Sequence, residues 1–260
     1  IFTSDNGAEA SGPQDHDSFA ERLGPAALGY HTDYERLGLK GSYNTISPSF
    51  ASAAVSPLAY YKFYAGEGGM RVPLIVAGAS LPVQGELSHA FSFVTDITPT
   101  VLAFAGVVAP DARYGGRSVE PMIGRDLGPV LRQEAQRVYG SKDSVGYELA
   151  GHAVLFQGDY KIVFHRTPLS DGQWHLYNIV RDPGETEDLS STEPARLQHM
   201  LSAYERYARD NKVLSVPPGF DNFKQLVINT LYSRLRTPVL VTLLTILILL
   251  PFAVAYRSKR

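Results

Sequence analysis

Cysteine is absent from all 260 residues, which excludes disulfides, thiolate metal sites and any cysteine acting as a nucleophile or as the precursor of one. A surplus of positive charge is absent as well. The formal net charge is -2 and no basic block occurs outside the last few residues, so the electrostatic footprint that nucleic-acid binding requires is missing. Nucleic acid is set aside as a partner. Internal repeats are lacking, and so is metal-ligand spacing of the His-x-x-x-His kind. His89, His152, His165, His175 and His199 therefore read as surface or core residues, and His16 and His31 as solvated loop histidines. What the chain does have is 44% hydrophobic and 19% charged residues, the profile of a globular chain able to bury a core.

Both ends carry signals. Ile1-Phe2-Thr3 is apolar and β-prone, so the chain is expected to start inside a strand, as a truncated piece would. Pro238 to Tyr256 holds no charge and is dominated by Leu, Val and Ile. At about 1.5 Å per residue it approaches the roughly 30 Å of a hydrocarbon core, which predicts one transmembrane helix over 238–256, with Pro251 tolerated. A basic tail, 257–260, follows with Arg257, Lys259 and Arg260, while Lys224, Arg234 and Arg236 on the other flank leave the orientation weakly determined by charge. Ahead of it, over 217–237, Phe220, Phe223, Leu226, Val227, Leu231 and Leu235 recur at helical spacing. An amphipathic juxtamembrane helix and a helix packed on the globular part both fit.

The globular part, Ile1 to about Val216, reads as two units. Over 1–131 short apolar runs alternate with helical patterns: FTSDNG ends a strand at a turn, RVPLIVAG reads as a buried strand, and Asp96 stands as a helix cap before an apolar helix that ends at Gly106. Such alternation predicts an α/β layered domain. Over 132–216 HAVLFQGDYKIVFHR reads as a hairpin turning at Gly158-Asp159, WHLYNIV as a further strand, and Pro194 to Lys212 as a closing helix. This predicts a small antiparallel-sheet subdomain.

Candidate chemistry begins at Ser4-Asp5-Asn6-Gly7. A carboxylate and an amide oxygen side by side at a strand end, followed by a glycine, can present two hard oxygens to a divalent cation. Asp-Asn-Gly is also a common turn. Ala8 to Ala59 is too long for an ordinary connection and marks a functional loop region. It delivers YYKFYAGEGGMRVP, in which Lys62 is bracketed by aromatics; a lysine snorkelling over an aromatic patch is the plain reading. Glu67 and Arg71 read as an internal ion pair around Gly68 and Gly69.

Together, SDNG, Lys62 followed by EGGMRVP, DITPTVLAFAG, GRSVEPMIG and WHLYNIVRDPGETEDLS resemble, in order, the sulfatase family of arylsulfatase type, within the alkaline-phosphatase-like superfamily. The resemblance covers a carboxy-terminal portion. It implies the carboxy-terminal part of a layered α/β core over 1–131, with Asp5 and Asn6 as ligands of an active-site calcium and Lys62 as a catalytic residue reaching the ester. The family's nucleophile is a formylglycine made from Cys or Ser in a Cys/Ser-x-Pro-x-Arg motif, which this chain lacks, so that group and two further calcium ligands are expected upstream. Sulfate monoester hydrolysis is the implied activity of the complete protein, on a sulfated small molecule or carbohydrate. A phosphodiester or phosphonate hydrolase of the same superfamily and an inactive membrane-tethered remnant are the alternatives. Family behaviour also implies an extracytoplasmic, periplasmic globular part anchored by the carboxy-terminal helix.

Overall fold

A computed structural model describes residues 1–10, 26, 29–79, 81–82, 85–217 and 219–257, and within the last helix the side chains of 222, 223, 226, 227, 230, 231, 234, 235 and 251–257 are outside that description. His16 and the early part of the long loop lie outside the described residues. The chain forms two compact units, Ile1–Val213 and Leu214–Arg260. The first is an α/β fold with antiparallel sheets.

Its centre is a four-stranded antiparallel meander of β5 (Ser144–Leu149), β6 (His152–Gln157), β7 (Tyr160–Phe164) and β8 (Trp174–Asn178). Gln157 pairs with Tyr160, so Gly158 and Asp159 form the turn that their sequence predicts, with Gly158 at φ 60. Successive side chains of a strand point to opposite faces, and the meander accordingly separates two apolar layers. Val154, Phe156 and Val163 pack with Ala65 and Met70 on one face. On the other, Leu155, Ile162 and Leu176 pack with Met200 and Ala203. Those last two residues belong to the closing helix, Pro194–Asp210. It lies so close to the sheet that a Cβ on Gly146 would come within 2.4 Å of the Tyr207 ring.

Four further α-helices of this unit are described from end to end, α1 (Ser47–Val55), α2 (Glu67–Met70), α3 (Ile97–Phe104) and α4 (Gly128–Leu131), which makes the closing helix α5, and two short 3-10 turns lie at Tyr34–Arg36 and Val94–Asp96. The amino-terminal strands differ from expectation. β1 (Phe2–Thr3) and β2 (Leu74–Ile75) are two residues each and pair only with one another, antiparallel. Ile75, expected in a buried strand, is 57% exposed, and Phe2 is 68% exposed. The α/β layered domain expected over 1–131 calls for helices packed on a larger sheet, and among the described residues this region supplies two separate two-stranded antiparallel pairs. The hairpin β3 (Arg113–Tyr114) and β4 (Arg117–Ser118) is also separate.

The second unit is the helix α6, Asn222–Arg257. The expectation of a transmembrane helix over 238–256, and of a membrane-anchored globular part facing the periplasm, is corrected here. Among the described residues no helix is long and apolar enough to cross a membrane. Of the amphipathic positions expected over 217–237, Phe223, Leu226, Val227, Leu231 and Leu235 carry side chains outside the described residues.

Candidate active site

The Asp-Asn-Gly turn is fixed on three sides. Thr3 Oγ1 donates to the Pro73 carbonyl at 2.9 Å, anchoring the strand end on the chain beyond EGGMR. Ser4 Oγ donates to the Asn6 carbonyl at 2.9 Å and closes the turn. Asn6 Nδ2 donates to Asp5 Oδ1 at 3.2 Å and to the Gly7 carbonyl at 3.3 Å, bonds that leave Asn6 Oδ1 and Asp5 Oδ2 uninvolved. Gly7 N then donates to the Gly69 carbonyl at 3.0 Å. A Cβ on Gly7 would sit 1.8 Å from the Gly68 carbonyl oxygen, so no side chain fits where the two turns touch.

Lys62 lies on a second turn clamped against the first. Its backbone N donates to the Ala8 carbonyl at 3.1 Å, and Gly68 N donates to the Ala59 carbonyl at 2.8 Å. Tyr60 at φ 64 and Phe63 at φ 80 flank it in the left-handed region, a conformation costing on the order of 1–3 kcal/mol each that persists where surroundings enforce it. The enforcement is visible in α2: Cβ atoms on Gly68 and Gly69 would lie 2.3 Å from the Tyr60 and 2.4 Å from the Tyr64 carbonyl oxygen. The Lys62 ammonium pairs with the Glu9 carboxylate and lies 5.5 Å from the Phe63 ring centroid.

Beneath this turn lies a buried charge cluster that sequence reasoning identified only in part. The expected Glu67–Arg71 pair forms, Arg71 Nε donating to Glu67 Oε2 at 2.8 Å. Two partners were missed. Lys161, fully buried, donates to Glu67 Oε1 at 3.1 Å and lies 2.8 Å from Glu185 Oε1 as an ion pair without hydrogen-bond alignment. Glu185 Oε2 in turn accepts the Glu67 N–H at 2.8 Å. Burial raises the Glu185 carboxyl above the usual range, against the pull of Lys161 and the Glu67 N–H. The signal for Lys161 was there: it alternates in register with inward-facing Val163.

The other polar residues are structural. Asp96 is fully buried and is the residue preceding α3, yet its side chain does not cap that helix. It turns back to accept the Phe93 N–H at 2.7 Å, and also takes the Arg125 N–H at 2.7 Å and the Tyr139 hydroxyl. His152 and His165 sit ring to ring at 5.2 Å behind Tyr60. Burial, then the nearby His152, Lys161 and His175, pushes His165 down to about 3. His175, by contrast, touches Asp188 at 2.7 Å and Asp171 at 3.0 Å, and these carboxylates raise it despite burial.

Asp5 and Asn6 offer a carboxylate and an amide oxygen, the hard donors that calcium takes in sets of about six to eight. They fit as part of such a shell and do not complete one. Among the described residues no group of three or more His, Cys, Asp or Glu side chains is arranged to hold a metal.

No family profile matches the chain. An uncharacterized sulfatase of Schizosaccharomyces pombe is 29% identical over 225 residues, 85% of this chain and 39% of that protein. An arylsulfatase of Klebsiella aerogenes is 28% identical over 131 residues, 50% of this chain and 27% of that protein. A crystal structure of Ps i-CgsB in complex with k-i-k-neocarrahexaose superposes with a TM-score of 0.50 at 22% identity, over 66% of this chain and 34% of that one, a likeness of fold. The chain thus spans less than half the length of the curated relatives it matches. Its sequence relatives are sulfatases, and the resemblance its motifs carry is to the carboxy-terminal portion of that family.

Proposed function

We propose that this chain carries part of the active site of a calcium-dependent sulfuric ester hydrolase of arylsulfatase type. One observation supports the reading most directly. Two backbone bonds, Gly7 N to the Gly69 carbonyl at 3.0 Å and Lys62 N to the Ala8 carbonyl at 3.1 Å, hold the Asp5-Asn6 turn and the Lys62 turn together from distant parts of the chain. Asp5 and Asn6 are the residues that would hold calcium, which when bound neutralises charge on sulfate oxygens. Lys62 brings an ammonium that offsets the charge building on the sulfate and on the bridging oxygen as the S–O bond breaks. The strained turn fixes where that ammonium starts, so less ordering is left for the reaction itself. The attacking group would be a formylglycine from sequence outside these residues, since the chain holds no cysteine and no Ser-x-Pro-x-Arg.

As substrate class we favour a sulfated saccharide, in keeping with the neocarrahexaose held by the structural relative. The test is turnover of p-nitrophenyl sulfate and of the matched phosphate esters by the full-length protein, with calcium and with a chelator. The expected result is calcium-dependent sulfate release that Lys62→Ala lowers about 10²- to 10³-fold, the usual cost of removing one group that stabilises developing charge. Preferred cleavage of the phosphate esters, or an unchanged rate in Lys62→Ala, would refute the assignment.

A further inference from the structure

Aromatic residues bracket Lys62 on both sides, and the fold packs all but one of them. Tyr60 and Tyr61 meet Tyr64 at 5.4 and 5.2 Å between ring centroids, and Tyr60 and Tyr64 rest in turn on His165 and His152. These three tyrosines are half-buried. Phe63 turns outward: it is 39% exposed and, among the described residues, stacks on no other ring. What it does meet is the Lys62 ammonium, 5.5 Å from its ring centroid.

Phe63 holds this place against its own backbone preference. At φ 80 it lies in the left-handed region, where a bulky residue is an outlier and a glycine sits without steric cost. Strain of this kind collects at ligand sites. An apolar ring left open beside a fixed charge is also the usual make-up of one, the ring packing on the body of a ligand while the charge holds its head. If Lys62 holds the bridging oxygen of an ester within hydrogen-bond reach of about 3 Å, the carbons attached to that oxygen come within packing range of the Phe63 ring. We propose that Phe63 is a specificity-determining residue, its exposed ring packing against the ring that carries the sulfate ester, whether the C–H face of a sugar or the face of an arene. The inference rests on the reading of Lys62 given above, and adds to it recognition of the alcohol half of the substrate as distinct from the sulfate head.

The experiment is turnover of p-nitrophenyl sulfate by the full-length protein with calcium, with sodium sulfate and glucose 6-sulfate as competitors at constant ionic strength. In Phe63→Gly, which suits the left-handed backbone, the KM of p-nitrophenyl sulfate, the inhibition constant of glucose 6-sulfate or both should rise about three- to tenfold, the effect of losing one aromatic contact. The ligand that responds tells arene from sugar. Because such a contact is made equally before and in the transition state, kcat should stay within about twofold, as should the inhibition constant of sodium sulfate, which has no ring. Phe63→Tyr keeps the ring and should match wild type. Phe63→Asn, which also tolerates a left-handed backbone, replaces the glycine variant if that one melts early. Ring-bearing ligands bound as in wild type, or weakened no more than inorganic sulfate, would overturn the role of Phe63 alone, and so would a loss confined to kcat. Absence of sulfate-ester turnover in wild type, or a rate that Lys62→Ala leaves unchanged, would instead remove the parent reading and the ring contact with it.

Discussion

Lys62 and Lys161 make similar contacts in very different surroundings. Each pairs with glutamate, and each approaches a ring, Lys62 at 5.5 Å from Phe63 and Lys161 at 5.4 Å from Phe156. Lys161 is fully buried and shared between Glu67 and Glu185, whereas the Lys62 side chain is 30% exposed and meets Glu9 at the surface. Desolvation separates their roles. A buried ammonium between two carboxylates cannot leave without stranding charge, so it acts as a structural fixture. An exposed one trades partners at little cost and is available to a ligand.

The sharpest way to break this comparison is to remove each lysine in turn. Lys161→Met leaves Glu67 and Glu185 buried without their cation and is expected to destabilise the fold by about 3–5 kcal/mol. Lys62→Met should cost less than about 1 kcal/mol. Urea unfolding measures both, and equal losses would end the distinction. Next in size is Gly68→Ala, whose Cβ would fall 2.3 Å from the Tyr60 carbonyl oxygen. Forcing the turns apart should cost about 1–3 kcal/mol and shift amide resonances of residues 5–9 and 60–64; shifts confined to 67–69 would mean that the turns are not coupled.

The mildest expected effect concerns pH. His165, beside the buried cluster, is held neutral and lowered to about 3. The unfolded chain therefore takes up a proton near pH 6.5 that the folded chain refuses until about pH 3, so this histidine removes stability progressively as pH falls between those values. His165→Phe should flatten that part of a plot of melting temperature against pH. His175, raised by Asp188 and Asp171, works the other way: its contribution is full below pH 6.5 and is lost as pH rises through its own raised value. A His175→Gln variant should lose stability at acid pH only.

Local signals were legible in the sequence where local physics decides the structure. The Gly158-Asp159 turn, helix α3 and the closing helix α5 fall where turn chemistry and helical spacing put them. β5 was not foreseen, because Gly146 and the Ala150-Gly151 turn interrupt its alternation and it is fixed by pairing with β6. RVPLIVAG looks like a long buried strand but pairs over Leu74 and Ile75 alone. Within the site, apolar or polar character pointed to Asp5, Asn6 and Lys62 only in combination with the motif order. Of the carboxylates beneath them Glu67 was legible and Glu185 was not, since a turn glutamate looks solvated until a distant lysine is known to face it.

Glu67 receives its ammonium from a residue 94 positions later and its N–H is capped by a carboxylate 118 positions later. A ribosome delivers the Lys62 turn long before either arrives, and at roughly 5–20 residues per second that interval lasts many seconds. Until then the nascent turn has its strain without its counterweight. Ordering of the Asp5-Asn6 and Lys62 turns should therefore come late in biogenesis, triggered by emergence of the DPGETEDL segment, and truncations ending before Glu185 should leave the Asp-Asn-Gly loop unset however well they express.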